Sequence, residues 1–213
     1  VNRRSVIDAG VSALPRRERD RLRRRADILR AAEMVFAGKG YHDASIEEIA
    51  GAAEYGTGTV YLYFKDKEAL YLELFEGKIR ELIQFIRDRM GAEQQPARAL
   101  RELIQARMDY FDRNRGFFQI YVREGMNLGW SKHQRWDGVH RLYEEYLDLL
   151  TRWIRKGQQQ RIFRRNDPRR LAIALSGMMI QLTQDWLKSN EHQPLTEQVE
   201  FVFDLFLRGA SSP

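Results

Sequence analysis

Residues able to do chemistry are plentiful in this chain, but few stand at spacings that chemistry uses. The four histidines, His42, His133, His140 and His192, form no metal-spaced cluster. His133 and His140 are seven apart, so one helix could align them, but no third ligand is evident. Cysteine is absent, which removes thiol nucleophiles and disulfides and is compatible with a cytoplasmic setting. There is no G-x-S-x-G elbow and no Walker-type phosphate loop. Acids and bases are scattered, as solvated helix faces require. No catalytic residue, metal or cofactor is expected.

The useful spacing lies between Ser45 and Lys67, SIEEIAGAAEYGTGTVYLYFKDK. It reads as two short helices joined by a tight turn, the form of a helix-turn-helix reader of duplex DNA. Thr57, Gly58 and Thr59 are small, so the second helix can approach base edges closely. A threonine hydroxyl suits bases or phosphates, and its methyl suits a thymine methyl. Ser45 and Gly56 open the two helices and can offer N–H groups to phosphate oxygens. The phenols of Tyr61 and Tyr63 can also reach phosphates, and Lys67 adds a cation.

These residues need elements to position them. Pro15 can open a helix. From Arg16, Leu22, Ala26, Leu29, Ala32 and Phe36 recur at helical spacing, and Gly38 and Gly40 stop the run. Ser45 with Glu48 three residues on is a capping box. Ile46, Ile49, Ala50 and Ala53 supply that helix's inward face. Asp66 can cap a long helix from Lys67 to about Met90, with Leu70, Leu74, Phe75, Ile79, Leu82, Ile83 and Ile86 buried. GAEQQP is a linker. Helical period resumes over 97–114, 117–126 and about 136–159, with an irregular connection at 127–138. Asn166-Asp167-Pro168 opens a helix to about Lys188, and Pro194 and Thr196 open the last. The expected fold is all-α, with about nine helices.

At 213 residues the chain suits one domain or two packed closely, and 43% hydrophobic residues are enough for a real core. No run of 18 apolar residues implies a membrane span, and the first residues lack the apolar stretch of a secretory signal. Residues 1–30 hold ten Arg against four acids, whereas the remaining 183 residues balance. The net charge of +6 therefore sits just ahead of the candidate reader, where it favours a polyanion. Arg3 and Arg4, or the Arg16–Arg25 stretch, could reach an adjacent minor groove; a solvated arm is the plainer alternative.

Residues 22–70 resemble the DNA-binding region of the TetR family of bacterial transcriptional regulators. The resemblance rests on Ile28, Ala31, Ala32 and Phe36, then Gly40-Tyr41 and Ile49-Ala50. Gly58-Thr59-Val60-Tyr61, Tyr63-Phe64 and Lys67-Glu68-Ala69-Leu70 complete it. The family usually has Ala-Gly-Val-Ser at the turn, where this chain has Ala53-Glu54-Tyr55-Gly56. A left-handed backbone at Glu54 costs about 1 kcal/mol more than at glycine. The resemblance implies that Thr57, Gly58, Thr59 and Tyr61 face bases or flanking backbone. It implies that Ser45, Gly56, Tyr63 and Lys67 hold phosphates, while Val60 and Phe64 pack inward.

Residues 201–207, FVFDLFL, are apolar nearly all round, so that helix must be buried on more than one side. Leu171, Ala174, Leu175, Met178, Leu182 and Trp186 form one stripe of the preceding helix; Ile173, Gly177, Ile180 and Leu187 extend along another. The expected homodimer interface includes Gly177, Ile180, Phe201 and Leu205. A two-fold dimer sets its recognition helices about 34 Å apart, one DNA turn, and calls for a palindromic operator. The resemblance also implies a small-molecule effector pocket in the second part. Phe111, Phe118, Tyr121, Trp136, Tyr143 and Met178 are candidate lining residues, suited to an apolar or aromatic ligand. Core packing is the plainer reading for any one of them. The expected organisation is a flexible basic arm over 1–15, a helix-turn-helix domain over 16–66, and a regulatory domain over 67–213. The implied function is a ligand-responsive repressor, cytoplasmic and nucleoid-associated, with no membrane partner. An enzyme and a helical interaction module without DNA are the alternatives.

Overall fold

The computed structural model describes residues 15–90, 95–123, 137–189 and 193–210, without the side chains of 120–123 and 210. Among the described residues there are nine α-helices. They are α1 Arg16–Lys39, α2 Ile46–Ala52, α3 Thr57–Tyr63, α4 Lys67–Met90, α5 Pro96–Arg113, α6 Arg115–Arg123, α7 Asp137–Gln159, α8 Pro168–Lys188 and α9 Val199–Ala210. A 3-10 turn, Leu195–Gln198, leads into α9. The fold is all-α, as the periodicity predicts. The chain divides into two compact units, residues 1–74 and 75–213.

The first unit forms around α1. Its buried stripe is Ile28, Ala31, Ala32 and Phe36. Leu22 and Ala26, which the three- and four-residue spacing places inward, are exposed. Apolar residues flank both sides of this Arg-rich helix, and packing against α2 selects the stripe starting at Ile28. Ile46, Ile49 and Ala50 of α2, Val60 of α3, and Phe64 are buried with it. Phe36 meets Tyr71 edge-on at 5.5 Å between ring centres, and Tyr41 meets Tyr71 at 5.2 Å. Arg25 Nε donates to Glu73 Oε1 at 2.6 Å, and its guanidinium lies 5.0 Å from the Phe64 ring centre.

The second unit packs α5 against α7 and α9, and α8 along α7. Its helix starts are chemically explicit. Pro96 occupies the first turn of α5, where its missing N–H costs nothing. Asp167 caps α8 by accepting from the Arg169 and Arg170 amides at 2.8 and 3.3 Å. Asp112, from the end of α5, accepts from the Leu195 and Thr196 amides at 2.6 and 3.1 Å, fixing the entry to α9.

Candidate nucleic-acid interface and regulatory core

The start of α2 is held as the capping box requires. Glu48 N–H donates to Ser45 Oγ at 3.1 Å, and Ser45 N–H donates to Glu48 Oε2 at 3.1 Å. Glu48 also pairs with Lys39. The hydrogen bond from Lys39, then that from the Ser45 amide, holds its carboxyl below the usual range. The Ser45 amide is thus spent inside the protein, whereas its hydroxyl hydrogen can still be donated outward.

The turn after α2 closes as a Schellman motif. Tyr55 N–H donates to Ala50 O at 2.9 Å, and Glu54 N–H to Gly51 O at 3.1 Å. Glu54 sits at φ 58°, the left-handed conformation the sequence places there. Tyr55 is half-buried, and its hydroxyl donates to Asp27 Oδ2 at 3.0 Å. Burial and this carboxylate push its phenol above the ordinary value.

Gly56 is the N-cap of α3 and, having no side chain, supplies no side-chain capping bond. Val60 is buried and Phe64 follows it inward. Thr57, Thr59 and Tyr63 are half-buried; Gly58, Tyr61 and Leu62 are exposed. Leu62, 82% exposed, is a surface residue of this helix that sequence reasoning did not single out. Its signal was the apolar residue between Tyr61 and Tyr63, off the inward line of Val60 and Phe64. A Cβ added to Gly58 would meet no described atom beyond its own helix within 4 Å. Among the described residues no packing contact calls for a glycine there, and glycine weakens a helix by roughly 0.5–1 kcal/mol relative to alanine.

Lys67 faces inward to the 41–44 segment. Its Nζ donates to the carbonyls of Tyr41, His42 and Ala44 at 2.6, 3.0 and 2.8 Å, and lies 4.6 Å from the Tyr41 ring centre. An ammonium has three N–H donors, so a direct phosphate contact requires giving one of these up. Arg3 and Arg4 lie outside the described residues. The Arg16–Arg24 part of α1 is exposed along its length.

In the second unit, Phe111 and Phe118 are buried and stack at 4.2 Å between ring centres. Tyr143 is half-buried, with its hydroxyl 3.4 Å from Ser176 Oγ. Met178 is half-buried; Met179 next to it is buried and accepts a long 4.0 Å contact from the Tyr146 hydroxyl. The Tyr121 side chain and Trp136 lie outside the described residues. Gly177, Phe201 and Leu205 are exposed, and Ile180 is half-buried. Ile173, Phe201 and Leu205 are each about half exposed, at 47%, 56% and 50%. A Cβ on Gly177 would also meet nothing within 4 Å. Among the described residues no group of three or more metal-ligating side chains is assembled, and no helix is long and apolar enough to cross a membrane.

Residues 28–74 match the family model for bacterial regulatory proteins of the tetR family, and residues 93–210 match that for the tetracyclin repressor-like C-terminal domain. The chain belongs to the tetR family. Both matched descriptions are of regulatory proteins, so this tetR-family chain is a DNA-binding transcription regulator. It is similar to the HTH-type transcriptional repressor NicS of Pseudomonas putida, with 28% identity over 88% of this chain and 92% of the relative. The fatty acid metabolism regulator protein of Bacillus subtilis is 25% identical over 85% of this chain and 93% of its own length. Among solved structures, the fatty acid degradation regulator FadR of Bacillus halodurans aligns with a TM-score of 0.73. That alignment has 26% identity and covers 86% of this chain and 98% of FadR.

Proposed function

We propose that this tetR-family regulator is a repressor that binds a two-fold symmetric operator as a homodimer and leaves it when a small effector enters the second unit. The observation that carries the DNA role is the α3 surface around Gly58. Gly58 is an exposed helical glycine between Thr57 and Thr59, and no described atom beyond its own helix lies within 4 Å of its Cβ position. That leaves room for close approach by an outside surface. Thr57, Thr59 and Tyr61 flank it with hydroxyls suited to base edges and flanking backbone. Ser45, Gly56 and Tyr63 are assigned to phosphates, and Leu62 extends the contact surface. Lys67 is assigned a positioning role through the 41–44 carbonyls, and a phosphate contact only through a rearranged side chain.

The dimer reading rests on the exposed face of α8 and α9. Gly177 has no neighbour to accommodate within its own subunit, and Phe201 and Leu205 stand exposed one helical turn apart. A second copy crossing at Gly177 would bury both features. The name of the Pseudomonas putida relative supports a repressor. The stacked Phe111–Phe118 pair supports an effector with an apolar or aromatic body. Nucleoid association follows from operator binding.

A gel shift with ligand-free protein at moderate salt tests this reading. Retention of a specific duplex, reversed by an added effector, is expected. No specific duplex binding would favour a helical interaction module.

A further inference from the structure

Arg107 breaks the pattern of α5. It stands in the stripe Leu100, Leu103, Ile104 and Phe111, and is itself only 5% exposed. A guanidinium keeps its proton at any ordinary pH, so burial leaves it charged. Here burial is the leading influence on the group, lowering its pKa from the ordinary value. Buried charges are stable when paired with an opposite charge. Among the described residues Arg107 has no carboxylate partner.

What it does have is one hydroxyl, one long carbonyl contact and an aromatic face. Nη1 donates to Thr183 Oγ1 at 3.0 Å and approaches Met179 O at 3.4 Å. The guanidinium carbon lies 4.6 Å from the Phe111 ring centre. Nε and Nη2 have no acceptor among the described residues. Nearby, the buried Tyr146 hydroxyl has only the Met179 thioether at 4.0 Å, a weak acceptor. Burial pushes its phenol up to about 12, so it remains a neutral donor. Tyr143 and Ser176 bring two more hydroxyls, 3.4 Å apart. Among the described residues the cluster thus holds donors in excess and no anion.

We propose that Arg107 anchors the carboxylate of the effector, so that the regulatory unit takes an amphipathic monocarboxylate. This deepens the effector-responsive reading and rests on it. The guanidinium fork matches a planar carboxylate through two parallel N–H groups. A single buried cation balances one negative charge, whereas a phosphate dianion would leave charge uncompensated. The Tyr146 hydroxyl supplies a further donor, and the Phe111–Phe118 stack offers a wall for the apolar body. Aromatic and aliphatic acids share that carboxylate.

Calorimetry on the full chain without DNA tests this with benzoate and hexanoate against their neutral isosteres, benzamide and hexanamide. At least one acid is expected to bind about tenfold or more tightly than its amide, a difference of about 1.4 kcal/mol. Arg107→Met and Arg107→Gln are expected to bring that ratio close to one. Arg107→Met is also expected to melt no lower than the native chain, because it removes an unpaired buried charge; a merely structural arginine would give a lower melting temperature. Equal affinity for acid and amide, or no detectable binding of either acid at about 10 mM, the weak end of measurable affinity, overturns the proposal. So does an acid preference that survives both substitutions. A native chain that retains its operator but ignores the acids sinks this inference and leaves the regulator reading standing. Acid binding through Arg107 without any duplex binding does the reverse.

Discussion

The Tyr55 hydroxyl donates to Asp27 Oδ2 across 3.0 Å, tying the helix-turn-helix turn to α1. The tie matters because the residue before it, Glu54, holds φ at 58° without being a glycine. Tyr55→Phe is therefore expected to lower the urea midpoint of the first unit. Glu54→Gly is expected to raise stability by about 1 kcal/mol, the left-handed penalty it removes. Equilibrium unfolding of both variants, followed by a signal from the first unit, measures the pair. A neutral Tyr55→Phe would show that the turn holds itself.

Gly58→Ala separates folding from recognition. The added methyl meets no protein atom, and alanine favours the helix, so stability should rise by roughly 0.5–1 kcal/mol. Operator affinity should fall by an amount on the order of 1–3 kcal/mol, comparable to a lost base contact. Thermal melting and fluorescence anisotropy on one preparation read both. Unchanged operator affinity would remove Gly58 from the contact surface.

Lys67→Met distinguishes a positioning lysine from a phosphate contact. Loss of the three carbonyl bonds is expected to loosen residues 41–44 and raise their amide exchange. The salt slope of operator binding should stay the same. A slope smaller by about 1 would mean that this ammonium neutralises a phosphate after rearrangement.

Gly177→Leu tests the dimer face. Within one subunit the new Cβ meets no described atom beyond its own helix within 4 Å, and the helix gains intrinsic propensity of up to about 1 kcal/mol. The subunit should keep its helical content while the dimer dissociates at higher concentration. Sedimentation equilibrium checks this. An unaltered dimer would move the interface elsewhere.

What was legible in the sequence was local. The Ser45–Glu48 capping box, the Asp66 and Asp167 caps and the left-handed Glu54 depend on residues within a few positions of each other. Val60 and Phe64 are inward because their spacing leaves them on one side of α3. Tertiary partners were not legible. Tyr55 meets a residue 28 positions away, and Arg107 meets Thr183 across 76. Nothing in the local pattern marks Lys67 as a donor to the 41–44 carbonyls. The choice of Met179 over Met178 for the buried cluster depends on the rotation of α8 against α7. Arg107 did leave a trace, a charge inside an apolar stripe, but its lack of a counter-ion among the described residues required the fold.

Selection of bound duplexes from a random pool tests the central claim most directly. An inverted repeat is expected, with half-site centres about 10 base pairs apart or a multiple of that spacing. A pool with no enriched motif, or an enriched motif without two-fold symmetry, would contradict a dimeric operator-binding regulator.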